Sequence, residues 1–360
     1  MFACTALCLI FAVSAPDAGT APGKDILVGV NYFAGWWEPM PNKWHGADGA
    51  DWRTKYPERV PLLGEYNNQA TMDREIKAAA GHGVDFFSIL WYYNGKTGER
   101  EPNARNLERG VLDFMRSSES GRMKFMVEFC NHPPYEVVTD EDWKDCTQFW
   151  ITYFRHPSYL RVDRRLVFKV HGGHYFCMQN NKDLARCRAR LDALRAAVRD
   201  AGLGEMMIGC GVGGPESIFP EHWAARLFDF TATYMDLPQQ EQKPEDCPFT
   251  DLEKFTEEGR AKHFGDAIPY MPYVAAGWNP RPWLDKRPCY AFPNKEEWTA
   301  ALESVKKDLR AQPMLGLPGG FKAFTIYAWN EFGEGGIVAP TQGGQYMKLE
   351  GIKMVFARRK

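Results

Sequence analysis

The sequence contains no CxxC pair, no HExxH, no GxSxG and no GxxxxGK[ST] loop. The first two absences leave a zinc ribbon, a thioredoxin-like redox centre and a helix-borne zinc protease without support. The other two do the same for a nucleophile-elbow serine hydrolase and a P-loop nucleotide site. The Gly-rich segment Gly209–Gly214 comes nearest to a phosphate loop, but it lacks the required spacing and reads as a wide turn after a strand. Neither charge sign is in excess: 44 Lys+Arg stand against 46 Asp+Glu, a formal net charge of -2. General nucleic-acid binding needs a concentrated positive field and is disfavoured. Histidine is sparse, and His171 with His174, or Glu128 with His132, make no established metal-ligand spacing. No metal site is therefore expected. No internal repeat and no low-complexity tract occurs.

Long apolar runs are also missing. Met1 to Ala15 is nearly all small or apolar, but its core, Leu7–Val13, is too short for a membrane span. With Val13-Ser14-Ala15 before Pro16, it reads as a signal peptide and leader over residues 1–24. No Lys or Arg precedes the run, so this export signal is atypical. The expectation is a secreted, periplasmic or cell-surface protein with no stable membrane span, acting as a monomer. Cys4 and Cys8 fall in the leader, leaving seven cysteines. An odd number cannot all pair within one chain; Cys177 and Cys187 are disulfide candidates by proximity, and the others read as small buried hydrophobes.

What the chain has in quantity is aromatic residues, 14% of 360, including 12 Trp. They either fill a large core or line a cleft with flat rings, as sugar binding requires. Short apolar strands alternate with amphipathic segments from residue 26 to the end. Strands are expected at 26–33, 84–92, 124–130, 166–171, 206–211, 228–234, 270–276 and 323–329. Helices are expected at 71–81, 103–118, 142–154, 182–201, 221–227, 251–264, 294–309 and 345–356. Asn294 with Glu297 three residues on forms a capping box. Eight strands with intervening helices and no linker-like break point to one (β/α)8 TIM barrel over residues 25–360, in the α/β class.

The polar residues gather at the C-terminal ends of those strands, where barrel chemistry is done. They are Asn31 and Tyr32, Trp91 and Tyr92, Glu128 and Asn131, His171 and His174, Thr233 and Tyr234, Trp278, Asn279 and Arg281, and Asn330, Glu331 and Glu334. A lone His such as His171 is more often structural than catalytic; the spread over many strand ends is the signal. The strongest segment is Trp329-Asn330-Glu331-Phe332-Gly333-Glu334-Gly335-Gly336. If residues 331–334 form one helical turn, the two carboxylates share a side, roughly 5–6 Å apart at Cβ. Such proximity drives the two pKa values apart and yields one proton donor and one base, the division that glycosidic cleavage uses. Trp36, Trp37, Trp91 and Trp278 are candidate sugar platforms, and Tyr32, Tyr92 and Trp329 lie in the same segments.

Four segments carry a resemblance to glycoside hydrolase family 99 and the family 99-like group, which includes proteins associated with lipopolysaccharide side-chain synthesis. They are Val30-Asn31-Tyr32-Phe33-Ala34-Gly35-Trp36-Trp37, Gly81 to Tyr92, Pro272 to Arg281, and Ala328 to Gly335. The resemblance implies a (β/α)8 barrel that cleaves internal α-mannosidic linkages with retention and without cofactor. It implies that Glu331 is the base toward the sugar 2-hydroxyl, which attacks C1 to give a 1,2-anhydro sugar. It implies that Glu334 is the acid for the leaving oxygen, and it places Tyr92 and Arg281 near the substrate. The family usually has His before the second Glu, where this chain has Gly333. The expected function is a glycoside hydrolase on an oligosaccharide or polysaccharide; the alternative is a catalytically silent glycan-binding or surface-polysaccharide-processing barrel.

Overall fold

The computed structural model describes residues 24–46, 48–95, 104–213, 219, 222–238 and 243–357. The leader reading, residues 1–24, lies almost wholly outside them. The strands are β1 (Ile26–Tyr32), β2 (Phe86–Tyr92), β3 (Lys124–Cys130), β4 (Arg161–Val162), β5 (Arg165–Val170), β6 (Met206–Gly211), β7 (Phe230–Ala232), β8 (Tyr270–Met271), β9 (Tyr273–Ala275), β10 (Lys322–Tyr327), β11 (Asn330–Glu331) and β12 (Gly336–Ile337). The helices are α1 (Gln69–Gly81), α2 (Ala104–Arg116), α3 (Asp140–Phe154), α4 (Gly173–Gln179), α5 (Leu184–Asp200), α6 (Phe249–Ala261), α7 (Lys295–Ala311) and α8 (Met347–Phe356).

The barrel strands pair in parallel in the order β1, β2, β3, β5, β6, β7, β8, and β1 also pairs with β10, which pairs with β9. β8 and β9 are two halves of the seventh barrel strand, separated by Pro272, which has no N–H to give to a ladder. β8 pairs with β7 and β9 with β10, so the sheet closes as a (β/α)8 barrel. Strand alternation sorts the side chains. Phe86 lies inside the barrel across Gly29, where a Cβ would come 2.2 Å from the ring, and Phe230 lies likewise across Gly209 at 2.3 Å. These large-on-small contacts fill the barrel floor. Above it sits a polar layer of Asn31, Ser88, Glu128 and Lys169, each 0% exposed.

The opposite strand faces carry the aromatic layer beneath the helices. Trp91 packs on Trp150 (5.6 Å between ring centroids) and Tyr153, both from α3, and Phe87 packs on Phe114 of α2. Helix starts are fixed by Asn68, Thr139 and Asp183, whose side chains accept from first-turn N–H groups, and by the Asn294–Glu297 capping box of α7. Three features depart from expectation. The segment 221–227 forms only a 3-10 turn, Ala224–Arg226, among its described residues. The short helix α4 follows the fourth barrel strand, and the hairpin β11–β12 follows the eighth. Cys130, Cys177, Cys187 and Cys247 are free thiols. The candidate Cys177–Cys187 disulfide is not formed, and the two thiols share a hydrogen bond instead. Among the described residues no helix is long and apolar enough to cross a membrane.

Candidate active site

Glu331 and Glu334 sit at the mouth of the barrel on the β11–β12 hairpin. Glu331 O accepts from Glu334 N (3.1 Å) and Gly335 N (2.8 Å), so the connection makes the helical turn that the spacing predicts. The turn is pinned from the seventh-strand side, where Asn279 N donates to Glu334 O at 2.6 Å. Gly335 permits this approach: its φ is +86°, and a Cβ there would lie 2.7 Å from Asn279 N. Gly333 is equally constrained, because Trp283 lies across it and a Cβ would come 2.3 Å from the indole. The indole of Trp283 thus occupies the space that a side chain at position 333 would enter.

Each carboxyl has its own tyrosine. Tyr234 donates to Glu331 Oε1 at 2.7 Å, and Tyr327 donates to Glu334 Oε2. The two tyrosine rings meet edge to face at 5.1 Å. Burial, then the neighbouring Glu334 charge, push Glu331 up to about 8, with the Tyr234 hydroxyl and Lys43 opposing. Burial also raises Glu334, against the Tyr327 hydroxyl, Arg287 and Lys43. The pair therefore retains a proton near neutral pH and titrates as one unit.

A second carboxylate behaves oppositely. Burial alone would raise Glu128, but the Lys169 ammonium at 2.8 Å and the His171 imidazole at 2.7 Å outweigh it and hold the carboxyl at about 2. Asn31 Nδ2 (3.0 Å) and Ser88 Oγ (2.8 Å) also donate to it. The His171 ring rests against Tyr234 at 4.9 Å, which links this charged floor to Glu331.

The remaining expected site residues divide sharply. Tyr92 borders the site, with its ring against Tyr135 (4.9 Å) and His132 (5.7 Å). Trp278 is a buried wall beside Tyr327, covered by Arg287 at 4.4 Å. Asn279 and Asn330 are scaffold: Asn330 is stapled to the Phe33 backbone by two hydrogen bonds of 2.8 and 2.7 Å. Arg281 is engaged by Asp246 at 2.6 Å. Tyr32 and Trp91 do not reach the cleft. Both lie on outward strand faces, and Tyr32 donates to Glu75 of α1 at 2.9 Å. Trp36 is 0% exposed, enclosed by Trp44, Trp52 and Phe332, and so offers no ring face to a sugar. Trp37 is also buried, with its indole N–H on Pro41 O. Trp329 is buried outside the barrel on Glu75.

Sequence reasoning passed over Lys43, Lys169, Trp283, Arg287 and Tyr327. Tyr327 carried a signal, since it lies just before the Glu331 motif on the eighth barrel strand. Lys43 carried none, because a long loop brings it to the site, with its ammonium over the Phe33 (5.3 Å) and Trp283 (4.9 Å) rings. Among the described residues no group of His, Cys, Asp or Glu is arranged to hold a metal ion.

The fold is shared with known carbohydrate enzymes. A glycoside hydrolase-like protein superposes with TM-score 0.61 at 15% identity, over 93% of this chain and 95% of that one. The family 99 endo-alpha-mannosidase of Bacteroides thetaiotaomicron superposes with TM-score 0.57 at 14% identity, over 91% and 95%. Its complex with BIS-TRIS-propane gives 0.53 at 14%, over 88% and 87%. No family model matches the sequence, and no curated protein matches it.

Proposed function

We propose that this protein is a glycoside hydrolase that cleaves a glycan with the Glu331–Glu334 pair. The observation that carries the reading is the pair itself: two buried carboxyls on one pinned turn, each on its own tyrosine, both raised in pKa. A protonated carboxyl supplies an acid for the leaving oxygen, and its ionised neighbour supplies a base. The resemblance assigns the base to Glu331 and the acid to Glu334. Burial raises both carboxyls, so the pair keeps one proton to share. In the proposed cycle Glu334 carries the shared proton when the leaving oxygen departs, and the two carboxyls act as one titrating unit.

An internal α-mannosidic linkage is the first substrate to test, because one neighbour in fold is an endo-alpha-mannosidase. The half-buried rings of Tyr135, Tyr234 and Trp283 replace the buried Trp36 and Trp91 as sugar-facing candidates. The leader-like residues 1–24 support export, and the chain is proposed to act as a monomer. A glycan panel with product analysis, run beside Glu331→Gln and Glu334→Gln, tests the activity. New reducing ends from wild type alone support hydrolysis; oligosaccharide binding without cleavage supports the silent glycan-binding barrel.

A further inference from the structure

Apart from the carboxylate cleft, a cavity of about 410 Å³ lies beside the β11–β12 hairpin. Its wall combines the apolar side chains of Phe292, Ile337, Val338 and Met347 with two cations, Arg59 and Lys348. The cations are 2% and 9% exposed, and buried charges are ordinarily paired. These two are not matched by a buried acid. Lys348 Nζ donates to the carbonyls of Ala276 and Ile337. Arg59 donates through its terminal nitrogens to Asn279 O, Phe332 O and Asn279 Oδ1. Its Nε makes no hydrogen bond, and the Glu58 carboxylate 3.5 Å away belongs to a side chain 42% exposed. Glu58 thus offsets Arg59 only from the solvent side, and Lys348 has backbone dipoles but no counter-charge.

The ring of Phe292 packs against both cations, 5.2 Å from Arg59 Cζ and 5.5 Å from Lys348 Nζ. Burial, then the Arg59 charge, pull Lys348 down to about 7. The titratable groups lining the cavity are Glu58, Arg59, Lys295 and Lys348. The wall therefore offers one fixed positive charge, one that returns when an anion arrives, and an apolar chamber.

We propose that this cavity binds a small organic carboxylate, with its anion between Arg59 and Lys348 and its apolar body against Phe292, Ile337, Val338 and Met347. A monocarboxylate suits a chamber with two cations and a largely apolar wall better than a doubly charged phosphate, which would leave its remaining oxygens against hydrocarbon. The site also touches the proposed chemistry, because Arg59 holds the backbone of Phe332, within the carboxylate turn, and of Asn279, which pins that turn.

Isothermal titration calorimetry with hexanoate, and with hexanamide as the neutral isostere, tests the site in the full chain. Hexanoate is expected to bind one to one and hexanamide not to bind. Reprotonation of Lys348 predicts proton uptake at pH 8, read in two buffers of different ionisation enthalpy. It also predicts roughly a tenfold loss of affinity from pH 6 to pH 8. Lys348→Met should remove the proton uptake and the pH slope. Val338→Phe, which fills the chamber and keeps both cations, should block binding while circular dichroism confirms the fold. Absence of saturable hexanoate heat overturns the proposal, as does equal binding of hexanamide, or a Lys348→Met variant with wild-type affinity and pH slope.

Discussion

Replacing Glu331 with Gln is expected to stabilise the protein at neutral pH while removing glycan cleavage. Glu331 is 6% exposed, and its folded-state pKa stands at about 8 against an ordinary 4.5. Between those values the unfolded chain releases the proton and the folded chain keeps it. Wild-type stability therefore falls as pH rises from 4.5 to 8, by about 1.4 kcal/mol per pH unit. At pH 7 the accumulated cost is roughly 3 kcal/mol, over about 2.5 pH units. Gln cannot ionise in either state, so the variant escapes this cost and can still accept from Tyr234. Urea denaturation at pH 5, 6, 7 and 8 gives the comparison. The difference between variant and wild type should be small at pH 5 and widen steadily to pH 8. A difference independent of pH would refute the reasoning, because Glu331 would then titrate alike in folded and unfolded chains. Active-site groups often carry such a stability cost in exchange for function.

Other outcomes follow from neighbouring groups. Glu128→Gln leaves Lys169 buried without its carboxylate and should cost about 3–5 kcal/mol in urea denaturation, with Lys169→Met in the same chain restoring most of it. Wild-type Glu128 contributes stability that is present above pH 4.5 and lost as pH falls toward 2, so acid denaturation should be shallower in that double variant. Gly333→His should clash with Trp283 and lower the melting temperature, since even a Cβ comes within 2.3 Å of the indole. Trp91→Ala should cost about 3–5 kcal/mol by emptying the barrel–helix layer while leaving the affinity of the folded protein for oligosaccharide unchanged by calorimetry.

The barrel was legible because its signals are local and repeated. Strands buried on both faces, such as Ile26–Tyr32 and Met206–Gly211, read as apolar runs, and Asn294 with Glu297 marked its own helix start. The carboxylate pair was legible because a single turn carries both residues. Trp91 was misread as a sugar platform for a geometric reason. Trp91 and Tyr92 are adjacent in sequence, yet alternation sends Tyr92 toward the cleft and Trp91 under α3. The Trp36 loop misled in another way, because Trp44, Trp52 and Phe332 close over it only after folding. Lys43 and Trp283 reach the pair through loops of no fixed period, and the Glu128–Lys169 contact joins strands whose pairing no local pattern specifies.

The most direct test of the central claim is reducing-end release from a glycan panel that includes internal α-mannosidic linkages, with wild type, Glu331→Gln and Glu334→Gln assayed side by side. The proposal predicts product from wild type on at least one glycan and a loss of about a hundredfold or more in each folded variant. Undiminished release by both variants on a glycan that wild type cleaves would contradict it.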